Sequence, residues 1–409
     1  MSGGPGGPPN VILVSFDTLR RDHLGCYGYE KKVSPTMDDL ARGGVLFEDG
    51  VANCGWTLPQ HATLVTGTYP ITHGLVYLHR RVRFPRRLKT LGELFQGAGY
   101  TTLGFCNQNH YGGGWIYDFH RGMNSYTNIF HHNNMMEKAV THITSYMEML
   151  REKPFYMYIH TSDTHEPFAA SEPFGSMWGR EYENKYEGEI SYVDHYLGRL
   201  VEKLEELELI DRTLVVATSD HGSEFREHGF LEKKLNLYEE ILQVPIIMHL
   251  PGDISPGTRV PGQAQTLDIP PTILDLCGID IPEGMEGKSM LGRIRGEGGG
   301  PGRVFSHTLH ETSYWYEHWS VREKEFKLIR TQRLKKPKSR KNLISDRFRR
   351  LEEVATRRRG GLVELYDLLD DPGERDNLAG NRPEIVGRLE KSIRNWVRAC
   401  GYAPPGGWP

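Results

Sequence analysis

Short apolar runs alternate with helical patterns from Val11 to Leu250, and this alternation limits the fold more strongly than any other feature of the chain. The first run, Val11–Phe16, is continuously apolar and ends at the polar Asp17, which is typical of a strand buried on both faces. Similar runs follow at Thr101–Cys106, Phe155–Ile159, Thr213–Thr218 and Val244–Leu250. Helical patterns lie between them, at Pro35–Arg42, Leu88–Gln96, Asn134–Leu150 and Glu183–Leu209. The sequence therefore predicts an α/β fold with a mostly parallel central sheet flanked by helices.

Polar side chains follow four of these strands at the point where each strand ends. They are Asp17, Asn107, His160–His165 and Asp220–His221. In parallel sheets, ligands bind just beyond the carboxyl ends of the strands. We therefore expect the functional site at this edge of the sheet.

The composition of the chain changes at about residue 296, where the segment GEGGGPG resembles a linker. This predicts a large α/β domain over residues 1–295 and a smaller C-terminal α+β subdomain over residues 296–409. Val304–Thr308 and Trp319–Ile329 are predicted strands of a small sheet, and Pro383–Cys400 is a predicted closing helix. Residues 330–359 carry thirteen Lys or Arg against three Asp or Glu, which fits a solvated surface insertion or a contact for an acidic substrate or polyanion.

Composition excludes several classes of protein. The net charge of −3 indicates no general affinity for nucleic acid or anionic membranes. The five cysteines are scattered without CxxC pairs, which argues against a disulfide framework and favours a reducing compartment. No signal peptide is recognisable, and no apolar run approaches the roughly 18 residues that span a bilayer. We expect a cytoplasmic location; the oligomeric state is open, and a homo-oligomer is compatible with these observations.

The segment WTLPQHATLVTG, residues 56–67, contains the first candidate for chemistry. Thr57 followed by Leu58-Pro59 predicts a helix start, with the hydroxyl at or near the N-cap. A hydroxyl there lies beside free backbone N–H groups at the positive end of the helix dipole, which favours a bound phosphate or sulfate. Taken alone, the same pattern fits an ordinary capping threonine.

The segment SDHG, residues 219–222, directly follows the run TLVVAT. Asp220 and His221 offer a carboxylate oxygen and an imidazole nitrogen, a mixed set that suits Zn²⁺ or Mn²⁺. Asp17 would add a third ligand and the Thr57 oxygen a fourth. A divalent ion bound there would activate the hydroxyl and neutralise the oxygens of an anionic ester.

Six separated segments resemble sulfatase-like enzymes of the alkaline phosphatase superfamily, in the order in which that family has them. They are NVILVSFDTLRRDHLGCYGY, WTLPQHATLVTGTYPITHGL, TSDHGSEFREHGFLEKKLNLYEEILQVPIIMHLPG, TLDIPPTILDLCGIDIP, VREKEFKLIR and ELYDLLDDPGERDNLAG. The resemblance extends over essentially the whole chain. It implies a sulfatase-like α/β catalytic domain and hydrolysis of small anionic esters with one divalent metal ion.

The resemblance also implies roles for individual residues. By position, Asp17, Asp220 and His221 are metal ligands, and Thr57 is the nucleophile and fourth ligand. Lys234 corresponds to a lysine that contacts the oxygens of the transferred group. His165 corresponds to a histidine near the leaving group, a candidate general acid.

Three further residues near the motifs carry weaker assignments. His61 stands where sulfatases have the arginine of their nucleophile motif, and it could steady Thr57 or an ester oxygen. Asn107 and His228 are candidate substrate-binding residues. Each of these two could equally be a polar residue that only supports the site.

The departures from the family pattern bear on the metal and on the substrate. Sulfatases convert a Cys or Ser to formylglycine, and Thr57 cannot be converted. The pairs Asp17-Thr18 and Asp220-His221 replace Asp-Asp and Asp-Asn, which removes an oxygen ligand and adds a nitrogen. Mn²⁺ or Zn²⁺ is therefore favoured, with Mg²⁺ and Ca²⁺ still candidates.

Phosphate mono- or diesters or phosphonate esters are favoured as substrates, because phosphothreonine can be resolved by in-line water attack. The first alternative is a sulfuric ester hydrolase that lacks formylglycine. The second is a non-catalytic relative that binds anions through residues 330–359. A membrane-tethered transferase with the same threonine chemistry is disfavoured by the lack of apolar spans.

Overall fold

The computed structural model of the protein describes residues 7–76, 83–106, 117–129, 134–229, 231–232, 236–309, 316–333 and 363–404. Its strands are β1 (Asn10–Phe16), β2 (Val45–Val51), β3 (Thr101–Cys106), β4 (Ser125–Asn128), β5 (Phe155–Thr161), β6 (Thr213–Ser219), β7 (Glu224–Phe225), β8 (Leu231–Glu232), β9 (Ile246–His249), β10 (Thr258–Gln265), β11 (Val304–Leu309), β12 (Tyr316–Arg322), β13 (Phe326–Arg333) and β14 (Val363–Asp367). Its helices are α1 (Pro35–Gly43), α2 (Thr57–Thr66), α3 (Pro70–His73), α4 (Leu91–Gly97), α5 (Met135–Tyr146), α6 (Tyr182–Glu206), α7 (Glu239–Leu242), α8 (Ile269–Leu276), α9 (Leu291–Ile294) and α10 (Pro383–Ala399).

The central sheet has eight strands in the order β10-β2-β9-β6-β1-β5-β3-β4. All neighbouring pairs are parallel except those of β9, which runs antiparallel to β2 and β6. Strand β1 lies in the middle, between β5 and β6. The carboxyl ends of these three strands therefore meet at one edge, where the site residues follow them.

Alternate residues of the central strands pack into two apolar cores, one on each face of the sheet. Val11 and Leu13 of β1 pack into the core that includes residues of α2, α4 and α8. Ile12 and Val14 pack into the opposite core with residues of α1, α5 and α6. A strand that is buried on both faces needs a continuous apolar sequence, which explains the run at the start of the chain. The predicted fold class is confirmed: a mostly parallel sheet is covered by helices on both faces.

The second sheet is small and antiparallel, in the order β11-β12-β13-β14. Helix α10 packs on it through Leu389, Ile393 and Trp396. Another core joins this sheet to the large one, since Val304 and Ile329 pack together with Val51 and Tyr238.

One predicted element of the small sheet was wrong. Trp319–Ile329 was expected to be a single strand, but it is a hairpin in which β12 pairs with β13. The charged residues Glu323–Glu325 form the turn, where Glu323 N donates to Phe326 O at 2.9 Å. The division of the chain at residues 295 and 296 stays a prediction. Most of the basic stretch at 330–359 lies outside the described residues.

Two further features concern the cysteines and the hydrophobicity of the helices. All five cysteines are free, as their spacing indicated. Among the helices of the described residues, none combines the length and hydrophobicity that crossing a bilayer requires.

Candidate active site

Two strand ends bring the acidic residues of the site together. Asp17 directly follows β1, and its backbone N donates to Thr161 O of β5 at 2.9 Å. Asp220 directly follows β6, and its backbone N donates to Phe16 O of β1 at 3.3 Å. Both carboxylates are buried. The sheet thus holds two acids at one edge, as the position of the apolar runs predicted.

The backbone after Asp17 is strained in a way that orients Asp220. Thr18 has a φ of 65°, a left-handed conformation that is unfavourable for a β-branched residue. Its hydroxyl donates to Thr164 O at 2.6 Å, and its backbone N donates to Asp220 Oδ1 at 3.1 Å. The backbone N of His221 donates to the same Oδ1 at 2.7 Å. Because two amides hold Oδ1, Asp220 Oδ2 is directed toward the centre of the site.

The ring of His221 faces both carboxylates through one nitrogen. Its Nδ1 lies 2.9 Å from Gly222 O, so Nδ1 carries the proton of the neutral ring and Nε2 carries the lone pair. Nε2 lies 3.6 Å from Asp17 Oδ1 and 3.4 Å from Asp220 Oδ2.

Thr57 is the first residue of α2, and its side chain reaches the same centre. Its Oγ1 lies 3.3 Å from His221 Nε2. Every residue of α2 is buried. The preceding loop is anchored to the small sheet by a bond from Gly55 N to Thr308 Oγ1 at 3.0 Å. The hydroxyl therefore lies at the buried N-terminus of a helix, where backbone N–H groups of the first turn make no bond within the helix.

The donor atoms of this centre fit a divalent cation. Asp17, Asp220 and His221 each offer one ligand atom within 4.8 Å of the others, and all three residues are buried. Two ionised carboxylates and an imidazole lone pair that face each other in a buried site repel one another unless a cation lies among them. Two oxygens and one nitrogen suit Zn²⁺ or Mn²⁺.

His61 lies one helical turn after Thr57 and has different neighbours. Its Nδ1 is 3.2 Å from the Tyr158 hydroxyl, and its ring centroid is 3.7 Å from that of His160. His61, His160 and Asp220 form a second group whose ligand atoms lie within 4.8 Å of one another. The sequence indicated His160 only as one of the polar residues at a strand end. Tyr158 was not predicted to be functional, because it lies in an apolar run that is typical of a buried strand.

His165 lies beside an open cavity of about 490 Å³. The cavity is lined by His165, Glu166, Pro167, Phe168, Tyr182 and Lys185. His165 is half-buried, and its Nδ1 lies 2.7 Å from Glu166 O. Since a carbonyl oxygen only accepts, Nδ1 donates to it, and Nε2 is the nitrogen that can exchange a proton with a ligand.

His228 meets acceptors at both ring nitrogens. Nδ1 lies 2.6 Å from Glu240 Oε1, and Nε2 lies 3.0 Å from Glu374 O. The ring stacks on Tyr238 with centroids 3.7 Å apart. Burial alone would lower the pKa of His228, but the hydrogen bond and charge of Glu240 outweigh it and raise that pKa. These contacts link the segment after SDHG to the C-terminal part of the chain, and substrate binding by His228 stays a prediction.

Three further residues complete the comparison with the predicted site. Lys234 and Asn107 lie outside the described residues. Cys54 is buried, and burial raises the pKa of its thiol to about 12. A thiol with that pKa is not a nucleophile at neutral pH.

Comparison with known proteins decides the family. The Sulfatase family profile matches residues 9–279, which is more than half of the chain. The chain belongs to the sulfatase family. A second family profile, N-sulphoglucosamine sulphohydrolase C-terminal, matches residues 226–346. The resemblance of the chain to sulfatase-like enzymes of the alkaline phosphatase superfamily is therefore confirmed.

Individual relatives of this sulfatase-family chain are distant but extend over most of its length. Human arylsulfatase A is 24% identical, with 94% of this chain and 87% of that protein aligned. An ulvan-active sulfatase of Formosa agariphila is 24% identical, with 96% and 80% aligned. The crystal structure of a phosphonate monoester hydrolase of Agrobacterium radiobacter superposes with a TM-score of 0.75 at 19% identity, covering 96% of this chain and 95% of that one.

The relatives named above are hydrolytic enzymes. Because this chain belongs to the sulfatase family, it is a hydrolase as well. Members of the family generally bind a divalent metal, in agreement with the acidic and histidine groups at the sheet edge.

Proposed function

We propose that this chain is a metal-dependent hydrolase of small anionic esters that works through a covalent intermediate on Thr57. The observation that carries the proposal is the 3.3 Å separation of Thr57 Oγ1 and His221 Nε2. The same nitrogen lies within 3.6 Å of Asp17 Oδ1 and 3.4 Å of Asp220 Oδ2. A hydroxyl beside an imidazole nitrogen that itself faces two carboxylates suits metal-assisted attack on an anionic ester.

Asp17, Asp220 and His221 would hold one divalent ion, with Thr57 Oγ1 as the fourth ligand. When bound, the ion would favour the alkoxide form of a hydroxyl and neutralise the oxygens of the ester. Their mixed oxygen and nitrogen donors favour Mn²⁺ or Zn²⁺ over Mg²⁺ and Ca²⁺.

Other groups of the chain would attack the ester, bind its oxygens and transfer protons. Thr57 Oγ1 attacks the phosphorus or sulfur centre in line with the leaving group, and the N-terminus of α2 steadies the non-bridging oxygens. His165 protonates the leaving oxygen through Nε2 and then takes a proton from the water that cleaves the intermediate. Lys234, by its position in the sequence, is predicted to contact the oxygens of the transferred group.

The identity of the nucleophile favours phosphate or phosphonate esters. A formylglycine hydrate can expel sulfate by collapsing to the aldehyde, whereas a threonine sulfate ester has no such exit. A threonine phosphate is resolved by in-line attack of water. This chemical argument supports phosphate mono- or diesters or phosphonate esters as substrates.

A sulfuric ester hydrolase is the second candidate, and a separate observation favours it. Arylsulfatase A and the ulvan-active sulfatase are both named for sulfate esters, and each aligns with more than nine-tenths of this chain. In that case Thr57 sulfate would have to be hydrolysed by direct attack of water.

A panel of aryl phosphate monoesters, phosphodiesters, phosphonate monoesters and sulfate esters would separate the two candidates. Each ester is assayed with Mn²⁺, Zn²⁺, Mg²⁺ or Ca²⁺ added to metal-free protein. Thr57→Val keeps the shape of the side chain but removes the hydroxyl, so we expect turnover to fall by roughly 10³-fold or more. Thr57→Ser keeps the hydroxyl and should retain measurable activity.

Trapping the intermediate gives a second readout. Acid-quenched wild-type protein should carry a phosphoryl or sulfuryl group on the peptide that contains Thr57, and Thr57→Val should carry none. Near-native turnover by Thr57→Val, or an adduct on another residue, would contradict the proposal.

A further inference from the structure

The group formed by His61, His160 and Asp220 lies next to the centre just described and shares one residue with it. All three side chains are buried, with exposed fractions of 8%, 2% and 0%. Each offers one ligand atom, and these atoms lie within 4.8 Å of one another. Asp220 belongs both to this group and to the group with Asp17 and His221. Two potential cation sites therefore have a common carboxylate.

Local structure explains why these residues converge. His61 follows Thr57 by four residues in α2, so the two side chains lie one turn apart on the same face of the helix. His160 lies in β5 directly beside Ser15 of β1. Asp220 follows β6, the strand on the other side of β1. The helix and the two strand ends thus aim three donors at one point beside Thr57.

We propose that His61, His160 and Asp220 bind a second divalent cation of the zinc type, so that the centre holds two metal ions bridged by Asp220. The inference rests on the proposed function for the first ion, at Asp17, Asp220 and His221. Two imidazoles and one carboxylate form the three-ligand set of catalytic zinc sites, in which a further position stays open to water or substrate. Two nitrogen donors disfavour Mg²⁺ and Ca²⁺ at this second site.

The contacts of His61 support a ligand role for its Nε2. Its Nδ1 lies 3.2 Å from the Tyr158 hydroxyl, and burial raises the pKa of Tyr158 well above its usual value. The phenol oxygen can accept a hydrogen bond from Nδ1–H, which leaves the lone pair of the neutral ring on Nε2. Ligating histidines usually donate their other N–H to an outer partner in this manner.

The His61 and His160 rings are in direct contact with each other. The centroids of His61 and His160 are 3.7 Å apart, and the ring planes are inclined at 80°. Two imidazolium ions cannot occupy such a buried position without strong repulsion. The pair therefore does not carry two positive charges, and a divalent ion would add positive charge beside the Asp220 carboxylate.

Charge balance connects the second ion to the substrate. The carboxylates of Asp17 and Asp220 together offset the charge of one divalent ion. A second divalent ion would add positive charge at the place where the anionic ester binds. Two ions can also stabilise the attacking and the leaving oxygen of an in-line displacement. His61 stands in place of the motif arginine of sulfatases, and a cation held by His61 would supply the positive charge of that arginine.

Metal stoichiometry tests the proposal without reference to activity. The purified full-length chain is freed of metal with a chelator, titrated with Zn²⁺ and desalted. The zinc that remains bound per chain is then measured by inductively coupled plasma mass spectrometry. We expect two ions per chain for the wild type and one for His160→Gln and for His61→Gln. His195→Gln, a change at an exposed histidine of α6, is the matched control and should bind two.

Electron paramagnetic resonance of the Mn²⁺-loaded protein provides an independent readout. Two Mn²⁺ ions that share a carboxylate are magnetically coupled, so the wild type should give a coupled spectrum. His160→Gln should give the signal of an isolated ion. Circular dichroism melting of each variant verifies that it is folded before its metal is counted.

The outcomes separate this inference from the proposed function. One ion per chain in the wild type, with His160→Gln unchanged, would mean that the two histidines share a proton instead of a metal, and the second site would be disproved while the first stands. No bound ion in the wild type would overturn the proposed function as well. Two ions in the wild type and still two in both histidine variants would place the second ion elsewhere and also disprove the site.

Discussion

Thr57 Oγ1 and His221 Nε2 lie 3.3 Å apart although 164 positions separate them in the chain. The first residue is at the buried start of a helix, and the second follows the end of a central strand. The contact exists because α2 packs on one face of the sheet while β6 ends at its edge. This relationship joins the candidate nucleophile to the candidate metal ligands, and it depends on the fold rather than on any local motif.

The role of His165 as general acid makes a prediction about leaving groups. His165→Gln removes the proton donor, so hydrolysis of alkyl esters, whose leaving oxygens need a proton, should fall by about 10²–10⁴-fold. Nitrophenyl esters leave as stable anions and should be affected much less. Rates for a series of esters with leaving groups of graded pKa would measure the effect, with His195→Gln as the control. Equal losses for all esters would assign His165 to binding or structure.

The sequence predicted the central strands and the proximity of Asp17, Asp220 and His221 well, for a physical reason. Strands buried on both faces must be continuously apolar, and the residue that follows such a strand lies at the sheet edge. The position of Asp17, Asp220 and His221 at one edge of the sheet could therefore be predicted from the sequence. The same argument does not predict the contacts of Glu240 or Tyr158, because these contacts arise from packing between elements that are distant in the sequence.

Edge and mixed elements were harder to predict. Strand β2 contains the polar Glu48 and Asp49 in its middle, and β10 contains Pro261 and Gly262 where its register shifts. Polar and proline residues lower the strand signal, but both are tolerated toward the edge of a sheet. Hairpin β12–β13 was predicted as one strand because its turn contains charged residues without glycine, proline or asparagine.

A buried ion network between the two sheets makes a prediction about stability. Lys327 is fully buried, and its Nζ lies 2.8 Å from Glu239 Oε1 and 2.9 Å from Glu374 Oε1. Lys327→Met leaves these carboxylates without the ammonium group, which should lower the free energy of unfolding by about 3–5 kcal/mol. Urea unfolding followed by fluorescence would measure it.

Two further variants provide a control and a test of coupling for that experiment. Lys391→Met changes an exposed lysine of α10 and should alter stability by less than about 0.5 kcal/mol. Glu239 keeps its ion pair with Arg322 in Lys327→Met, whereas Glu374 loses the ammonium group. Adding Glu374→Gln removes that carboxylate, so the double variant should lose less than the sum of the two single changes. Strict additivity would show that the network does not act as a unit.

The pair of His228 and Glu240 makes a prediction about pH. Glu240 raises the pKa of His228 above its unfolded value of 6.5 in spite of burial. A raised folded pKa means that the pair contributes its full stability below pH 6.5 and that this contribution is lost as the pH rises through the folded pKa. The free energy of unfolding of the wild type should therefore exceed that of His228→Gln by roughly 1–2 kcal/mol at about pH 6, and by less at about pH 8.5.

The comparison between the two proteins is needed because Glu374 titrates in the same range. Burial raises the pKa of its carboxyl to about 7, although Lys327 opposes this shift. His228 Nε2 lies 3.0 Å from Glu374 O, and the charge of Glu374 also raises the pKa of His228, so the difference between wild type and His228→Gln reports these coupled groups together. A difference that stays constant between the two pH values would argue against a charged His228.

The glycine of SDHG makes the last prediction, because it controls the position of a candidate metal ligand. Gly222 N donates to Ile241 O at 2.7 Å, and a Cβ at Gly222 would collide with the backbone oxygen of Glu240. Gly222→Ala must therefore displace the loop that holds His221, whose Nδ1 bonds to Gly222 O. We expect Zn²⁺ or Mn²⁺ affinity to fall by roughly 10–100-fold, as when an outer partner of a metal ligand is lost. Gly387→Ala in α10, where a Cβ meets open space, should leave metal affinity unchanged, and equal affinities for the two variants would show that the backbone at Gly222 does not position His221.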